Sequence, residues 1–144
     1  VKTYMSGKLI DTNILVYAYD NSEGEKHKAS RDILKKIWKE GGGVVCLQNL
    51  MGFFVVITKK VENPVDIADA KAIVEDILKS NNCRIIDRDV DTFLDAVDLV
   101  SEHEIHLWDA VIAACMKEND ITEIVTEDKE DFKKITGIKV TVPF

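Results

Sequence analysis

Short apolar runs recur along this chain, and the stretches between them carry helical spacing. The runs are Leu9-Ile10, Val44-Val45-Cys46-Leu47, Cys83 to Ile86, Ile124-Val125-Thr126 and Val140 to Val142. Their β-branching and length predict strands. Between them, apolar periodicity predicts helices over Ile14 to Tyr19, Glu25 to Glu40, Leu50 to Lys60, a stretch opened by Pro64, Val90 to Glu102, and Leu107 to Lys117. Alternation of this kind implies a mostly parallel sheet with helices on both sides, because each helix carries the chain back to start the next strand in the same direction. On Glu25 to Glu40 the inward face is Ala29, Ile33, Leu34 and Ile37. On the Pro64 stretch it is Ala68, Ile73, Ile77 and Leu78, and on Val90 to Glu102 it is Phe93, Leu94, Val97 and Val100. Asn21 to Gly24 reads as a loop, and Gly41-Gly42-Gly43 stops the second helix.

The chain has 144 residues, 46% of them hydrophobic, which suits one domain over 1–144 with a core of its own. Two prolines and seven glycines are too few and too scattered to mark a linker. There is no repeat or low-complexity tract, and no apolar run is long enough to span a bilayer. The opening VKTYMSG lacks the apolar centre of a secretory signal. Cys46, Cys83 and Cys115 are widely spaced and odd in number, which points to reduced thiols and a cytoplasmic protein. The net charge of −7 excludes a general nucleic-acid coat protein. It leaves room for a nuclease whose carboxylates hold metal ions.

One acid is out of place in this pattern. Asp11 stands where the first strand stops and apolar sequence resumes at once. In open parallel sheets the functional cleft lies beyond the carboxyl ends of the strands. Asp128, in VTEDKEDF, lies two residues past the fourth strand, so it belongs at the same edge as Asp11; Asp131 follows it. Asp109, in LWDAVIAA, opens the helix that leads into that strand. Singly, each has an ordinary use: Asp11 and Asp109 as helix-start acids, Asp128 as a turn residue. Together they would repel one another unless a cation joined them. Hard carboxylate oxygens suit magnesium or manganese, which activate water and stabilise charge on a phosphoryl group.

LIDTNILVYAYD, HLWDAVIAA and VTEDKEDF, in this order and spacing, resemble the motifs of PIN-domain proteins, above all the VapC-type toxins of toxin–antitoxin pairs. The closing GIKVTVPF resembles the end of that domain. The resemblance implies an α/β fold, a three-layer α/β/α sandwich with a mostly parallel central sheet. It implies a Mg2+- or Mn2+-dependent endoribonuclease, for which the metal chemistry predicts attack by an ion-bound water without a covalent intermediate. It also implies a small antitoxin that inserts into the active-site groove, and a homodimer. Carried over by motif, Asp11, Asp109 and Asp128 are the catalytic, metal-holding acids, with Asp11 central. Asn13 and Thr126 match polar positions that support those carboxylates, and Asp131 matches a supporting or helix-capping acid.

One position departs from the pattern. The helix after the second strand usually carries a glutamate facing the metal, and here Gly52 stands in its place. Glycine offers no ligand and weakens a helix interior by up to about 1 kcal/mol. Gln48, Asn49, Val55 and Val56 share its face, and none is acidic. The site is therefore expected to lack one acidic wall, which leaves a non-catalytic PIN-like RNA- or protein-binding module as the alternative.

The remaining candidates read more plainly. His27, His103 and His106 share no metal-type spacing and read as surface or satisfied residues. Lys59 and Lys60 either approach phosphates at the cleft or end a solvated helix. Trp38, Phe53, Phe54 and Trp108 read as core, with one of the adjacent pair Phe53-Phe54 available for a subunit or antitoxin contact. A haloacid-dehalogenase-type phosphotransferase needs a second Asp where Asn13 stands, and no phosphate-binding glycine loop is present.

Overall fold

The computed structural model describes residues 7–144. Of the opening segment read for a targeting signal, all but Gly7 lies outside the described residues. Five strands run β1 Lys8–Ile10, β2 Gly43–Cys46, β3 Cys83–Ile86, β4 Glu123–Val125 and β5 Lys139–Thr141. The helices are α1 Thr12–Tyr19, α2 Glu25–Glu40, α3 Leu47–Lys59, α4 Ile67–Lys79, α5 Val90–His103, α6 Leu107–Glu118 and α7 Lys129–Lys133. The sheet order is β3-β2-β1-β4-β5 and every pairing is parallel. Helices α1 to α4 pack on one face around Ile14, Leu15, Phe53 and Ile57, and α5 to α7 on the other around Ala113, Met116 and Phe132. This is the α/β/α sandwich that the alternation predicts.

Local chemistry sets the boundaries. The Asp11 side chain accepts from the Thr12 amide at 2.8 Å and so starts α1. Asp20 ends it, with its own N–H on the Tyr17 carbonyl. The loop read at Asn21 to Gly24 contains one 3-10 turn over Asn21–Glu23. Helix α2 stops at Gly41, whose φ of 87° is a conformation that favours glycine. The strand read through Leu47 ends one residue sooner, because Asn49 Oδ1 accepts from the Cys46 amide at 3.2 Å and turns the chain into α3. No helix among the described residues is long and apolar enough to cross a membrane.

Three expectations change. Pro64 does not open α4; the Val65 amide donates to the Ile57 carbonyl at 2.9 Å, tying this segment to the end of α3, and the helix begins after Asp66. On α4 the buried residues are Ala70 and Ile77, while Ala68 and Leu78 are exposed. On α5 the buried face is Thr92, Ala96 and Leu99, whereas Phe93, Leu94 and Val97 are 48%, 55% and 45% exposed. The helix carries two apolar stripes, and periodicity does not choose between them. Thr92 does, by bonding Asp89 in a capping box and Glu118 of α6 at 2.8 Å. Ala96 then allows α5 to lie close against the alanines of α6.

Candidate active site

The site grows from the strand order. From β1 the chain moves outward to β2 and β3, then returns to the other side of β1 for β4 and β5. The order reverses at the β1–β4 pair, so a crevice opens beyond the carboxyl ends of those two strands. Ile10 pairs with Val125 in register, and the Asp11 amide donates to the Val125 carbonyl at 3.1 Å. Asp11 and Thr126 are therefore neighbours at the mouth of this crevice.

Asp11 is buried and held by three donors. Its Oδ1 accepts from the Thr12 amide at 2.8 Å and from Asn49 Nδ2 at 3.2 Å. Its Oδ2 accepts from Thr126 Oγ1 at 2.7 Å. Burial pushes its pKa up, the bonds from Thr126 and Thr12 pull it back, and the charge of Asp128 adds to the rise. Thr126 also accepts, from the Asp128 amide at 3.0 Å and from Asn13 Nδ2 at 3.4 Å. Asn13 Oδ1 takes the Glu127 amide at 3.2 Å. Asn13 and Thr126 thus hold the turn that presents Asp128, which is exposed and stands at the start of α7.

The opposite wall is built differently. Asp109 lies in the first turn of α6, and Asp131 reaches it from α7. Asp131 is buried and accepts from the His106 amide at 3.0 Å and from His106 Nδ1 at 2.8 Å. One ligand atom each from His106, Asp109 and Asp131 lies within 4.8 Å of the others. The Asp109 carboxyl is pushed up to about 7, first by burial, then by its contact with Asp131 and by the charges of Asp128, Asp11 and Asp131. Burial raises Asp131 too, but the bonds from His106 and Asp109 outweigh it and bring it below the usual range. His106 is raised by its bond to Asp131. Of the two carboxyls, Asp109 is the one whose proton affinity is raised and Asp131 the one whose affinity is lowered. The four carboxylates stand in one electrostatic field, and a divalent cation is the species such a donor set suits.

Gly52 faces the start of α1. A Cβ built on it would meet Thr12 Oγ1 at 3.2 Å and Thr12 Cγ2 at 3.3 Å. Thr12 in turn accepts from Asn49 Nδ2 at 3.2 Å. On this wall the polar group touching Asp11 is the amide of Asn49, three residues before Gly52. Asn49 had no role in the sequence reading; the signal was there, a polar residue inside the apolar run LQNLMGFFVV.

Lys60 lines the crevice, and Trp108 stands in the first turn of α6 next to Asp109. A cleft of about 490 Å³ runs from Asp11 and Asn13 along Tyr17 to Lys60 and Glu62, so Lys60 shares a cavity with Asp11, and Lys59 does not line it. Trp108 is 63% exposed beside Asp109, against the core packing expected of it. Phe53 is fully buried, and Trp38 and Phe54 are half-buried. Glu127, next to Asp128, is occupied elsewhere by Tyr17 and Lys26, a pairing the sequence did not signal. His27 bonds the Tyr17 carbonyl at 2.8 Å, and His103 stands 3.7 Å from Glu102.

The family model described as "PIN domain" matches residues 8–138. No curated protein matches the chain in sequence. Among solved structures, a toxin–antitoxin complex from Klebsiella pneumoniae is similar at 23% identity and a TM-score of 0.68, over 96% of this chain and 98% of that one. VapC20 of Mycobacterium tuberculosis, described as a sarcin-ricin loop cleaving toxin, is 14% identical with a TM-score of 0.65, over 87% of this chain and 92% of that one. VapBC2 from Rickettsia felis, bound to a DNA fragment from its promoter, is 19% identical with a TM-score of 0.66, over 93% and 96%. At these identities the likeness bears on the fold.

Proposed function

The chain belongs to the PIN domain family, and on that premise we propose that it is a divalent-metal-dependent endoribonuclease, the toxin of a VapBC-type toxin–antitoxin pair. The grouping of Asp109 with Asp131, with the charges of Asp11 and Asp128 bearing on Asp109, supports this function, because carboxylates brought together call for a cation. Asp11, Asp109 and Asp128 hold Mg2+ or Mn2+, with Asp131 supporting Asp109. When bound, such an ion supplies an acidified water and a positive charge against phosphoryl oxygens.

The chain's own residues do the rest. Three donors orient Asp11 and keep both its oxygens at the crevice. Asn13 and Thr126 fix the Asp128 turn. Lys60 offers a positive charge to the RNA backbone along the cleft. The exposed ring of Trp108 gives an unpaired base a face to stack on. Gly52 leaves the α3 wall without a carboxylate, so this chain cuts RNA weakly beside a variant that restores one.

The partners follow from two apolar faces. The antitoxin inserts into the active-site groove, and an apolar groove of about 580 Å³ between α3 and α4, lined by Met51, Val55, Ile67 and Leu78, gives it a second contact. The α5 stripe of Val90, Phe93, Leu94 and Val97 faces a second copy of the chain in a homodimer. The protein is cytoplasmic, where its three buried free thiols stay reduced.

A second function is a non-catalytic PIN-like module binding RNA or protein, favoured by Gly52 and by the neutral Asn49 on Asp11. One comparison separates the two: this chain against Gly52→Glu on structured RNA, with Mg2+, Mn2+ or chelator, and Asp11→Asn as control. Metal-dependent cleavage lost in Asp11→Asn supports the nuclease. Tight RNA binding with no cleavage by either form favours the module.

A further inference from the structure

We propose that His106 is a metal ligand of this site, making one of its cation positions a mixed nitrogen–oxygen centre with Asp109 and Asp131. The inference rests on the reading of the acid cluster as a metal site and adds to it a ligand that the motifs do not supply.

His106 had read as a surface histidine without metal-type spacing, and its side chain is indeed 87% exposed. It does not point away, however. It stands at the N-cap of α6, three residues before Asp109, and the turn brings its ring onto Asp131. A ring nitrogen and one carboxylate oxygen from each aspartate lie within 4.8 Å of one another. Ligands on opposite sides of a small divalent ion are about 4.2 Å apart, from bonds of about 2.1 Å. Adjacent ligands on such an ion are about 3.0 Å apart; His106 Nδ1 and Asp131 Oδ2, at 2.8 Å, already have that spacing, and an approach of Asp109 would complete the set.

Two features prepare the ring. The Asp131 carboxylate binds both the amide and Nδ1 of His106, so backbone and ring are held together. An ion shared with Asp131 would take the Nδ1 lone pair, with the ring proton carried on Nε2, because Nδ1 is the nitrogen that faces the carboxylate. Asp131 carries one arm of this pairing while standing beside Asp109, so ring and carboxylates share a single small volume.

The chemical consequence is selectivity. Carboxylate oxygens suit magnesium and manganese alike, whereas an imidazole nitrogen adds affinity for transition ions, for zinc and cobalt more than for manganese, and least for magnesium. This chain therefore prefers Mn2+ to Mg2+ by more than its carboxylates alone would.

The test uses the full chain. Ring 15N resonances of the three histidines are followed while Zn2+ is added, with His27 and His103 as internal references. Mn2+ and Mg2+ affinities are then measured by calorimetry for the chain and for His106→Asn, whose amide keeps a donor for Asp131. The expected result is a coordination shift at one His106 ring nitrogen only. In His106→Asn, Mn2+ affinity falls roughly tenfold, within the scale seen when a site loses part of its ligand support, and Mg2+ affinity changes by less than about twofold. Ion binding with His106 unshifted and selectivity unchanged overturns this inference and leaves the acidic metal site standing. Failure of the unaltered chain to bind any of the ions overturns both. The resonance measurement needs no variant, so misfolding of His106→Asn leaves the proposal open to refutation.

Discussion

The two walls of the crevice handle negative charge in opposite ways. On the β1 wall, Asp11 is buried but satisfied: an amide, a hydroxyl and a carboxamide all donate to it. On the α6–α7 wall, Asp109 faces Asp131, with a pKa pushed up to about 7. The first carboxylate has a donor for each oxygen, although burial still raises its pKa. The second pair needs a shared proton or a cation. Part of the site is thus built by folding, and part is held ready for what binds. Buried polar groups with partners strengthen a structure, while like charges brought together tax it.

The largest effect expected from this contrast is on RNA cleavage. Replacing either Asp11 or Asp109 by Asn should reduce initial rates in the Gly52→Glu background by at least about 10³-fold, the scale of losing a catalytic group. Equal losses with opposite effects on stability would sharpen the comparison. Asp11→Ala should destabilise the metal-free protein by about 2 kcal/mol or more, since it removes a helix cap and orphans the Asn49 amide and the Thr126 hydroxyl. Asp109→Asn should raise stability at pH 8, by on the order of 1 kcal/mol once solvent screening is allowed for. Urea melts of both variants check this, and a stabilised Asp11→Ala would break the contrast.

A pH profile probes the same wall with the natural residues in place. A carboxyl whose pKa is raised on folding binds a proton that the unfolded chain has already released. Its stabilising effect is complete below the unfolded value of 3.8 and is lost as pH rises through the folded value of about 7. Metal-free protein should therefore lose stability from pH 5 to 8, with Asp109→Asn flattening that slope. Saturating Mn2+ should reverse it, because a cation replaces the proton. Thermal melts across this range in chelator and in Mn2+ supply the test.

The sequence made the fold legible because alternation of strand and helix admits few arrangements. It made Asp11 legible because a carboxylate interrupts an apolar run. It was silent where two solutions share one pattern. The α5 stripe of Phe93, Leu94 and Val97 has the same period as the buried Thr92, Ala96 and Leu99, and only packing against α6 distinguishes them. A polar residue inside an apolar run marks Asn49, but the partners of Asn49 and His106 were hidden, since each acts across a distance in sequence: 38 residues from Asn49 to Asp11, and 25 from His106 to Asp131. Trp108 misled because an aromatic in an apolar helix is usually core, whereas it lies in the first turn of α6 and is exposed.

The smallest effect, and the most informative about Gly52, belongs to Gly52→Ala. In a helix interior this change is worth up to about 1 kcal/mol in favour of alanine. Against that stands the Thr12 side chain, which the new Cβ would meet at 3.2 Å. Thr12 is not free to turn without cost, because its Oγ1 accepts from Asn49 Nδ2 at 3.2 Å and donates to the Asn49 carbonyl at 3.3 Å. Rotation would loosen the amide that also binds Asp11. We expect the two effects nearly to cancel, leaving stability within about 0.5 kcal/mol of the unaltered protein. A clear gain would mean that Thr12 yields easily, that the α3 wall has room for a longer side chain, and that Gly52→Glu can reach the crevice intact. A clear loss would mean that close packing of α1 on α3 requires glycine there, so the missing carboxylate and the hydrogen bonds around Asp11 are two sides of one arrangement.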